Sequence, residues 1–574
     1  MRKQRARESA PVKRWWQDQA ALISIAVIIV MTVIAYRPIF DAQKQFVNWD
    51  DDDYITEQPL VQSVDASAIA TMFDTDTQVS SNYHPLTMLS LAIDVDRGGM
   101  KMRPFMQTNL VLHLCNAVLV FILFYTLLQG NVLVAFTAGL LFAVHPMHVE
   151  SVAWAAARKD VLYTLWYLAS IIVYLAYVRT NRWSLFALSI GMCTLSCLSK
   201  PMAVTLPVLL IAVDMYVGRM KGGVVRPLFE KLPMLAISIY FGILTFSIQS
   251  SGSVGLVDTT TYGLFERLVF AGHGVLQYLG KFFLPIQLSA FYPYPSELQP
   301  GHVPAFMYGG AAVVVLIVIG ILAAWRRWRT PSWNLAAFGL AFYFITASLV
   351  LQVISVGGAS MADRYTYVPY LGLCIIVGVA LQQGTARLRP VLIPYLIVAV
   401  VGAVMAWGSH ERIGVWRNSE TLWTDVINQF PYEFTTKDGR DALVKRGALY
   451  AYSNRGIHYI KTGQLEKAIA DLGVLSRANV IHPDSYRAYG VALQMRSRHP
   501  EAIVAFTTAM RQGDLDYQVF RARGASYTLS GNPRAAIQDY EQALRLQPGD
   551  RLTTTALNEA RALVTRQDPG TVTK

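Results

Sequence analysis

Up to about residue 408 the chain alternates long apolar runs with short polar stretches, and beyond that point the pattern changes. A helix that crosses a bilayer needs about 20 mostly apolar residues. Runs of this kind fall at 20–40, 108–128, 132–147, 160–178, 183–199, 202–217, 232–249, 306–325, 335–354, 366–382 and 389–408. They predict about eleven transmembrane helices. The stretch 263–284 is also apolar, but it carries Glu266, Arg267, His273 and Lys281. It predicts an amphipathic helix lying along the outer membrane surface.

Charge sets the expected orientation. The N-terminus, MRKQRARESAPVKR, is basic and is expected to stay cytoplasmic. Odd-numbered spans then run outward. The loops left inside are RTNR (179–182), GRMKGGVVR (218–226), WRRWR (325–329) and ARLRP (386–390), all basic. Were 263–284 to cross, WRRWR would fall outside, against the charge bias. The first run does not read as a cleavable signal: Tyr36-Arg37-Pro38 follows it without a small-x-small pattern. Eleven spans place everything after about residue 409 outside, in the lumen of a eukaryote or the periplasm of a bacterium. The expectation is a multi-pass protein of the bacterial inner membrane with a periplasmic tail.

Polar residues return after His410, and the tail repeats itself. Gly456, Gly490 and Gly524 are 34 residues apart. Ala468, Ala502 and Ala536 keep that interval, as do Leu472, Phe506 and Tyr540. The pattern resembles the tetratricopeptide repeat, two helices per unit, in which small positions allow close approach and large ones fill the groove. The third copy, RARGASYTLSGNPRAAIQDYEQALRLQP, is the most regular; the first departs from the pattern near 474–483. Residues 551–566 read as a capping helix. The expected organisation is therefore a membrane domain over 1–410, a linker over 411–444 and an α-solenoid of about three repeats over 445–574. Such stacks present a concave surface to other proteins.

Composition narrows the function. Hydrophobic residues make up 53% of the 574 and charged residues 15%, against about 25% charged in soluble proteins. Mean hydropathy is +0.34. A disordered chain, a disulfide scaffold and an ordinary soluble enzyme are excluded. The net charge of +12 follows from basic inner loops, so no nucleic-acid partner is expected. Cys115, Cys193, Cys197 and Cys374 lie in apolar runs and read as packing residues. There is no GxGxxG or GxxxxGK[ST] pattern, which disfavours a nucleotide-sugar donor on a Rossmann fold.

The chemistry gathers on the expected outer face. The first outer loop holds NWDDDDYI (48–55) and NYHPLTMLS (82–90). The second holds HPMHVESVAWAAARKD (145–160), the third is LSKPM (198–202), and the fifth contains SMADRYTYVP (360–369). Carboxylates beside fixed cations at a membrane surface suit one reaction well. A base takes a proton from an acceptor hydroxyl while cations hold an anionic leaving group such as a polyprenyl phosphate. Lys supplies a point charge and Arg a bidentate fork.

Together, NWDDDDYI, NYHPLT, AVHPMHVESVAWAAARKDVL, LSKPMAVTLP and MADRYTYVP resemble the GT-C membrane glycosyltransferases. The likeness is to the transmembrane, tetratricopeptide-containing O-mannosyltransferase group and its bacterial relatives, and it covers nearly the whole chain. It implies an all-α fold, a GT-C helical membrane domain followed by the solenoid. It also implies an inverting transfer from a polyprenyl-phosphate sugar donor to a Ser/Thr hydroxyl of an acceptor protein recruited by the repeats. The family's first-loop acidic pair maps onto Asp50 and Asp51, its S-K-P lysine onto Lys200, and its R-Y-x-x-P arginine onto Arg364, both cations being placed at lipid phosphate. His148, Glu150, Arg158 and Asp160 match H-x-E…R-x-D, with Arg158 a further phosphate cation and the others, with His84, further active-site residues.

Each assignment has a plainer rival. The rivals for Asp50 to Asp53 are a solvated capping turn and a site for a divalent cation, Mn²⁺ or Mg²⁺, the latter compatible with catalysis, although no cofactor is required. His84, like His145, precedes a proline and suits a turn cap, whereas the structural reading is weaker for His148, because Glu150 and Arg158 lie nearby in sequence. Lys200 and Arg364 fit snorkelling boundary residues, and Arg158 fits an ion pair with Asp160 or Glu150. At the level of the whole chain, the rivals are a non-catalytic membrane scaffold for an envelope or pilus assembly and a transporter. The scaffold leaves the outer motifs without a task. A transporter would place its ionisable groups near the bilayer midplane, often with internal duplication.

Overall fold

The computed structural model describes residues 14–567 except 252–262, 295–302, 328–329, 352, 354–358, 388–389, 391, 438–439 and 446. Of the basic stretches used for orientation, residues 1–13, 328–329 and 388–389 lie outside the described residues. The chain divides into two compact units, Met1–Leu422 and Trp423–Lys574.

The first unit is helical and has the make-up of a multi-pass membrane protein. Among the described residues six helices are long and apolar enough to cross a bilayer: Gln19–Phe40, Met102–Leu127, Ala155–Thr180, Val225–Ser250, Ser332–Val350 and Ile393–Val415. Val132–Val144 and Pro146–Ala153 form a broken seventh, bent by 53°. The break falls at His145, whose backbone is extended (φ −73°, ψ 127°) because Pro146 disfavours the helical conformation in the residue before it. Trp183–Ser199, Pro201–Tyr216, Ala305–Ile321 and Tyr370–Gly384 are apolar but shorter than a full span. Each of the eleven apolar runs thus coincides with a helix, although four fall below the length that hydropathy alone would require. The stretch 263–284 is helical over Leu264–Phe283. A two-residue strand, Tyr292–Pro293, pairs antiparallel with Ala359–Met361.

Between the first two spans the chain makes a π-helical turn, Asp52–Thr56, and two helices, Ala66–Phe73 and Pro85–Gly98. Asp65 caps the first of these, accepting from the backbone amides of Ser67 and Ala68 at 2.9 Å.

In the second unit, helices Leu449–Lys461, Leu465–Arg477, Pro483–Met495, His499–Arg511, Tyr517–Leu529 and Pro533–Leu546 pair consecutively, and Arg551–Gln567 follows them. The small-to-large pairing read from the repeat is physical contact. A Cβ added at Gly456 would lie 2.6 Å from Leu472, at Gly490 2.6 Å from Phe506, and at Gly524 2.9 Å from Tyr540. Arg455 clasps Asp471 and Arg523 clasps Asp539, each at 2.7 Å, at the same repeat position. Since each glycine contact admits no methyl, Gly490→Ala is expected to lower the stability of this unit by about 1–3 kcal/mol through overpacking. Thermal unfolding of the full chain, followed at the repeats by limited proteolysis, checks this.

The stretch 411–444, expected as a linker, carries secondary structure of its own. It holds the end of Ile393–Val415, the helix Ser419–Gln429 and a hairpin of Glu433–Lys437 with Arg440–Lys445. Strands this short, rich in Thr but carrying charges on both sides, give little hydropathy signal.

Candidate functional site

The segment leading to Asp50 is tied to the chain that leaves the last apolar helix. Lys44 Nζ donates to the carbonyl of Trp416 at 2.6 Å, the Gln45 amide to the Arg417 carbonyl at 2.8 Å, and the Asn48 amide to Ser419 Oγ at 2.9 Å. Trp49 stacks on Trp154 with ring centroids 4.9 Å apart, and both rings lie against Trp416. Burial pulls the Lys44 amine down to about 8, against the pull of Asp51 and Asp41.

The acidic run splits by environment. Asp51 is buried, 1% exposed. Its Oδ2 accepts from the Val47 amide and its Oδ1 from the Ala156 amide, both at 2.9 Å. Burial pushes the Asp51 carboxyl up to about 7, while those two amides and Lys44 pull it down and Asp50 adds to the rise. Asp50 keeps 27% of its side chain exposed and meets Lys159 Nζ at 3.2 Å through Oδ2. Asp52 accepts from Thr56 and Asp53 from Ser80, in a half-buried and an exposed position.

The raised value of Asp51 gives a sign for pH. In the unfolded chain the carboxyl titrates near 3.8 and in the folded chain near 7. Its contribution to stability is therefore complete below about 4 and is lost as pH rises through about 7. Thermal unfolding is expected to show this loss in the wild type and a flatter profile in Asp51→Asn.

The other motifs bring four more charged groups to this layer. Lys200 pairs with Asp160, and Arg364 pairs with Glu150 through Nη1. The Arg364 amide donates to Glu150 Oε2 at 3.0 Å. The Arg364 guanidinium lies 5.5 Å from the Trp49 ring centroid and 5.4 Å from that of Trp154. Asp160 is buried, and its Oδ2 has no hydrogen-bond partner among the described residues. His84 is buried beside the Tyr54 ring at 6.3 Å. Burial, with Lys159 and Lys200 acting in the same direction, holds the His84 imidazole well below its ordinary range. The helix it precedes is tied to the lysine turn, Thr87 Oγ1 donating to the Ser199 carbonyl at 2.9 Å.

Two predicted residues do not join the layer. Arg158 is fully buried and spends its donors within the protein. Nη2 meets Asp94 at 2.5 Å and the Phe105 carbonyl at 3.0 Å, Nε meets Asn109, and Nη1 meets Ser90. It is thus neither positioned for a lipid phosphate nor paired with Asp160 or Glu150. The reason is its place at the start of Arg158–Thr180. Consecutive helical residues point about 100° apart, so Arg158, Lys159 and Asp160 reach Asp94, Asp50 and Lys200 respectively. His148 is buried among Phe142, His145, Tyr367 and Tyr370, and its Nδ1 donates to the Phe142 carbonyl at 2.8 Å. It belongs to the packing beneath the arginine turn.

Nor do the acidic side chains fit a metal. Among the described residues no group of three or more His, Cys, Asp or Glu is arranged to hold an ion, and both oxygens of Asp51 face amide donors. Sequence reasoning missed Lys159, although it sits between two residues that were singled out. It also missed Lys44, Asp94 and the tryptophan stack, which have no local spacing signal.

No protein-family model matches the chain. Its sequence relatives are protein O-mannosyl-transferases. Over 171 residues the chain is 32% identical to TMTC2 of Mus musculus, covering 29% of this chain and 20% of that protein. A protein O-mannosyl-transferase of Caenorhabditis elegans is 21% identical over 429 residues, 71% of this chain and 58% of its own length. TMTC1 of Homo sapiens is 23% identical over 465 residues, 69% and 50%. The chain thus spans less than two thirds of the length of each of these relatives. Among solved structures it is similar to ArnT from Cupriavidus metallidurans bound to undecaprenyl phosphate, at 14% identity and a TM-score of 0.35 over 95% of this chain and 87% of that one.

Proposed function

We propose that the chain is a membrane glycosyltransferase. It moves a sugar from a polyprenyl-phosphate carrier to a Ser or Thr hydroxyl of an acceptor protein, with inversion, and Asp50 is the general base. The observation that carries this reading is the layer in which a partly exposed Asp50 lies with Lys159, Asp160–Lys200 and Glu150–Arg364. Asp50 takes the proton of the acceptor hydroxyl. The freed oxygen attacks C1 of the sugar, and the C1–O bond to phosphate breaks. The polyprenyl phosphate leaves with the bonding electrons, and Lys200 and Arg364 stabilise its charge. Fixed cations already in place cost no reorganisation as that charge develops. The names of the sequence relatives support mannose as the sugar and protein as the acceptor.

In this reading the solenoid recruits the acceptor, and both it and the charged layer face the periplasm of a bacterial inner membrane. Leu552 is 69% exposed, so Leu552→Cys is expected to react with an impermeant maleimide in spheroplasts. Labelling only after lysis would overturn the orientation.

The test of activity uses the purified full chain, polyprenyl-phosphate mannose and an exported protein from the same cells. Mass spectrometry is expected to find a hexose on Ser or Thr. Absence of transfer together with absence of donor hydrolysis would overturn the reading. Lys200→Ala and Arg364→Ala are each expected to weaken binding of a polyprenyl phosphate by about tenfold or more, the loss of a charge-assisted contact worth about 1.5–3 kcal/mol. Acceptor binding is expected to stay unchanged. Wild-type phosphate binding in both would remove that role.

A further inference from the structure

Lys159 is the cation that none of the motif assignments uses. Its side chain is only 9% exposed, and its Nζ stands 3.2 Å from Asp50 Oδ2. The same Nζ lies 4.2 Å from the centroid of the Tyr54 ring and 5.9 Å from that of Trp154. Tyr54 stands four residues after Asp50, its amide donating to the Asp50 carbonyl at 3.0 Å. The ammonium is thus boxed by one carboxylate and two aromatic rings, an arrangement that binds a cation from several sides. The other charged and titratable groups facing it are Asp160 on its own helix, Arg364, Lys200 and His84. Of these, Asp160 is taken by Lys200, and Arg364 by Glu150.

We infer that Lys159 is a positioning residue for Asp50, and not a further ligand of the donor phosphate. It pins Oδ2 through the ion pair, which leaves Oδ1 as the oxygen that meets the acceptor hydroxyl. Among the described residues no hydrogen bond is made to Oδ1, and Asp50 is the one ionic partner of Lys159. When Oδ1 gains the proton, the ammonium stays held by Tyr54 and Trp154, so the box survives the turnover. This assignment rests on Asp50 acting as the base.

The test uses the purified full chain with polyprenyl-phosphate mannose as donor. Lys159→Met and Lys159→Gln are expected to lower kcat by about tenfold to a hundredfold, the range for a misplaced catalytic group. Binding of a polyprenyl phosphate and the donor KM are expected to stay within about twofold. Lys159→Arg, which restores a cation to the same box, should recover part of the lost kcat. In the Asp50→Asn background, Lys159→Met should cost nothing further, because a residue that acts through Asp50 has nothing left to position. Weakened phosphate binding in Lys159→Met, or a further loss in the Asp50→Asn background, would overturn the assignment while leaving the transferase reading intact. A wild-type chain that transfers nothing overturns the reading and the assignment with it.

Discussion

Replacing Asp50 by Asn is expected to lower sugar transfer by roughly a hundredfold or more, in a protein that expresses and binds donor normally. Asn keeps the shape of Asp but cannot take the acceptor proton. A serine or threonine hydroxyl is a poor nucleophile, and a positioned carboxylate contributes about 10²–10⁴-fold by removing that proton. Asp51→Asn is expected to do the reverse. Both Asp51 oxygens accept backbone amides, and an Asn offers one acceptor and turns an NH₂ toward the second amide. The buried clash costs about 1–3 kcal/mol, so the yield of folded protein and its Tm fall while kcat per folded molecule changes less. Asp52→Asn and Asp53→Asn touch a half-buried and an exposed side chain, which bond Thr56 and Ser80, and should cost least. Initial rates alongside thermal unfolding separate the four. Full activity in Asp50→Asn would bring the non-catalytic scaffold to the front.

That division of labour was not legible in the sequence. NWDDDDYI offers four carboxylates in a row, and nothing local says that Asp51 turns inward to the amides of Val47 and Ala156 while Asp50 stays partly exposed. What could be read were features with a period or a length. The eleven apolar runs carry their own signal, because a bilayer sets a minimum length. The 34-residue interval carries one because each Gly must meet the large residue 16 positions later, as Gly490 meets Phe506. The meeting of Asp50, Glu150, Asp160, Lys200 and Arg364 was half legible, since their motifs share one side of the expected topology. Their partners were not. Lys159 and Asp50 are 109 positions apart, and such an ion pair leaves no trace in spacing. The R-K-D run shows the limit most sharply: three adjacent charges look alike in sequence, and the helix sends them three ways.

Arg158 supplies the second large effect, on stability. Its guanidinium is wholly buried, and Asp94, 1% exposed, is its counter-charge at 2.5 Å. Removing one member of such a pair leaves a charge in a dry interior and costs about 3–5 kcal/mol, out of a total stability of about 5–15 kcal/mol. The two ends are not equal. After Arg158→Met, Asp94 still has Arg97 at 3.0 Å and Thr108 at 2.7 Å. After Asp94→Ala, Arg158 keeps Asn109, Ser90 and the Phe105 carbonyl, all neutral. Asp94→Ala is therefore expected to be the more damaging, with most of the protein lost to aggregation or proteolysis. Asp94→Leu combined with Arg158→Met removes both charges at once and should recover part of the stability, as apolar replacements of buried pairs do. Thermal unfolding of Arg158→Met, Asp94→Leu and the double variant in detergent gives the coupling between the two positions, expected at about 0.5–3 kcal/mol. A lipid-phosphate role for Arg158 makes the opposite forecast: Arg158→Met would fold as the wild type does and bind a polyprenyl phosphate less tightly. With every donor of Arg158 already met inside the protein, stability is the quantity that should move.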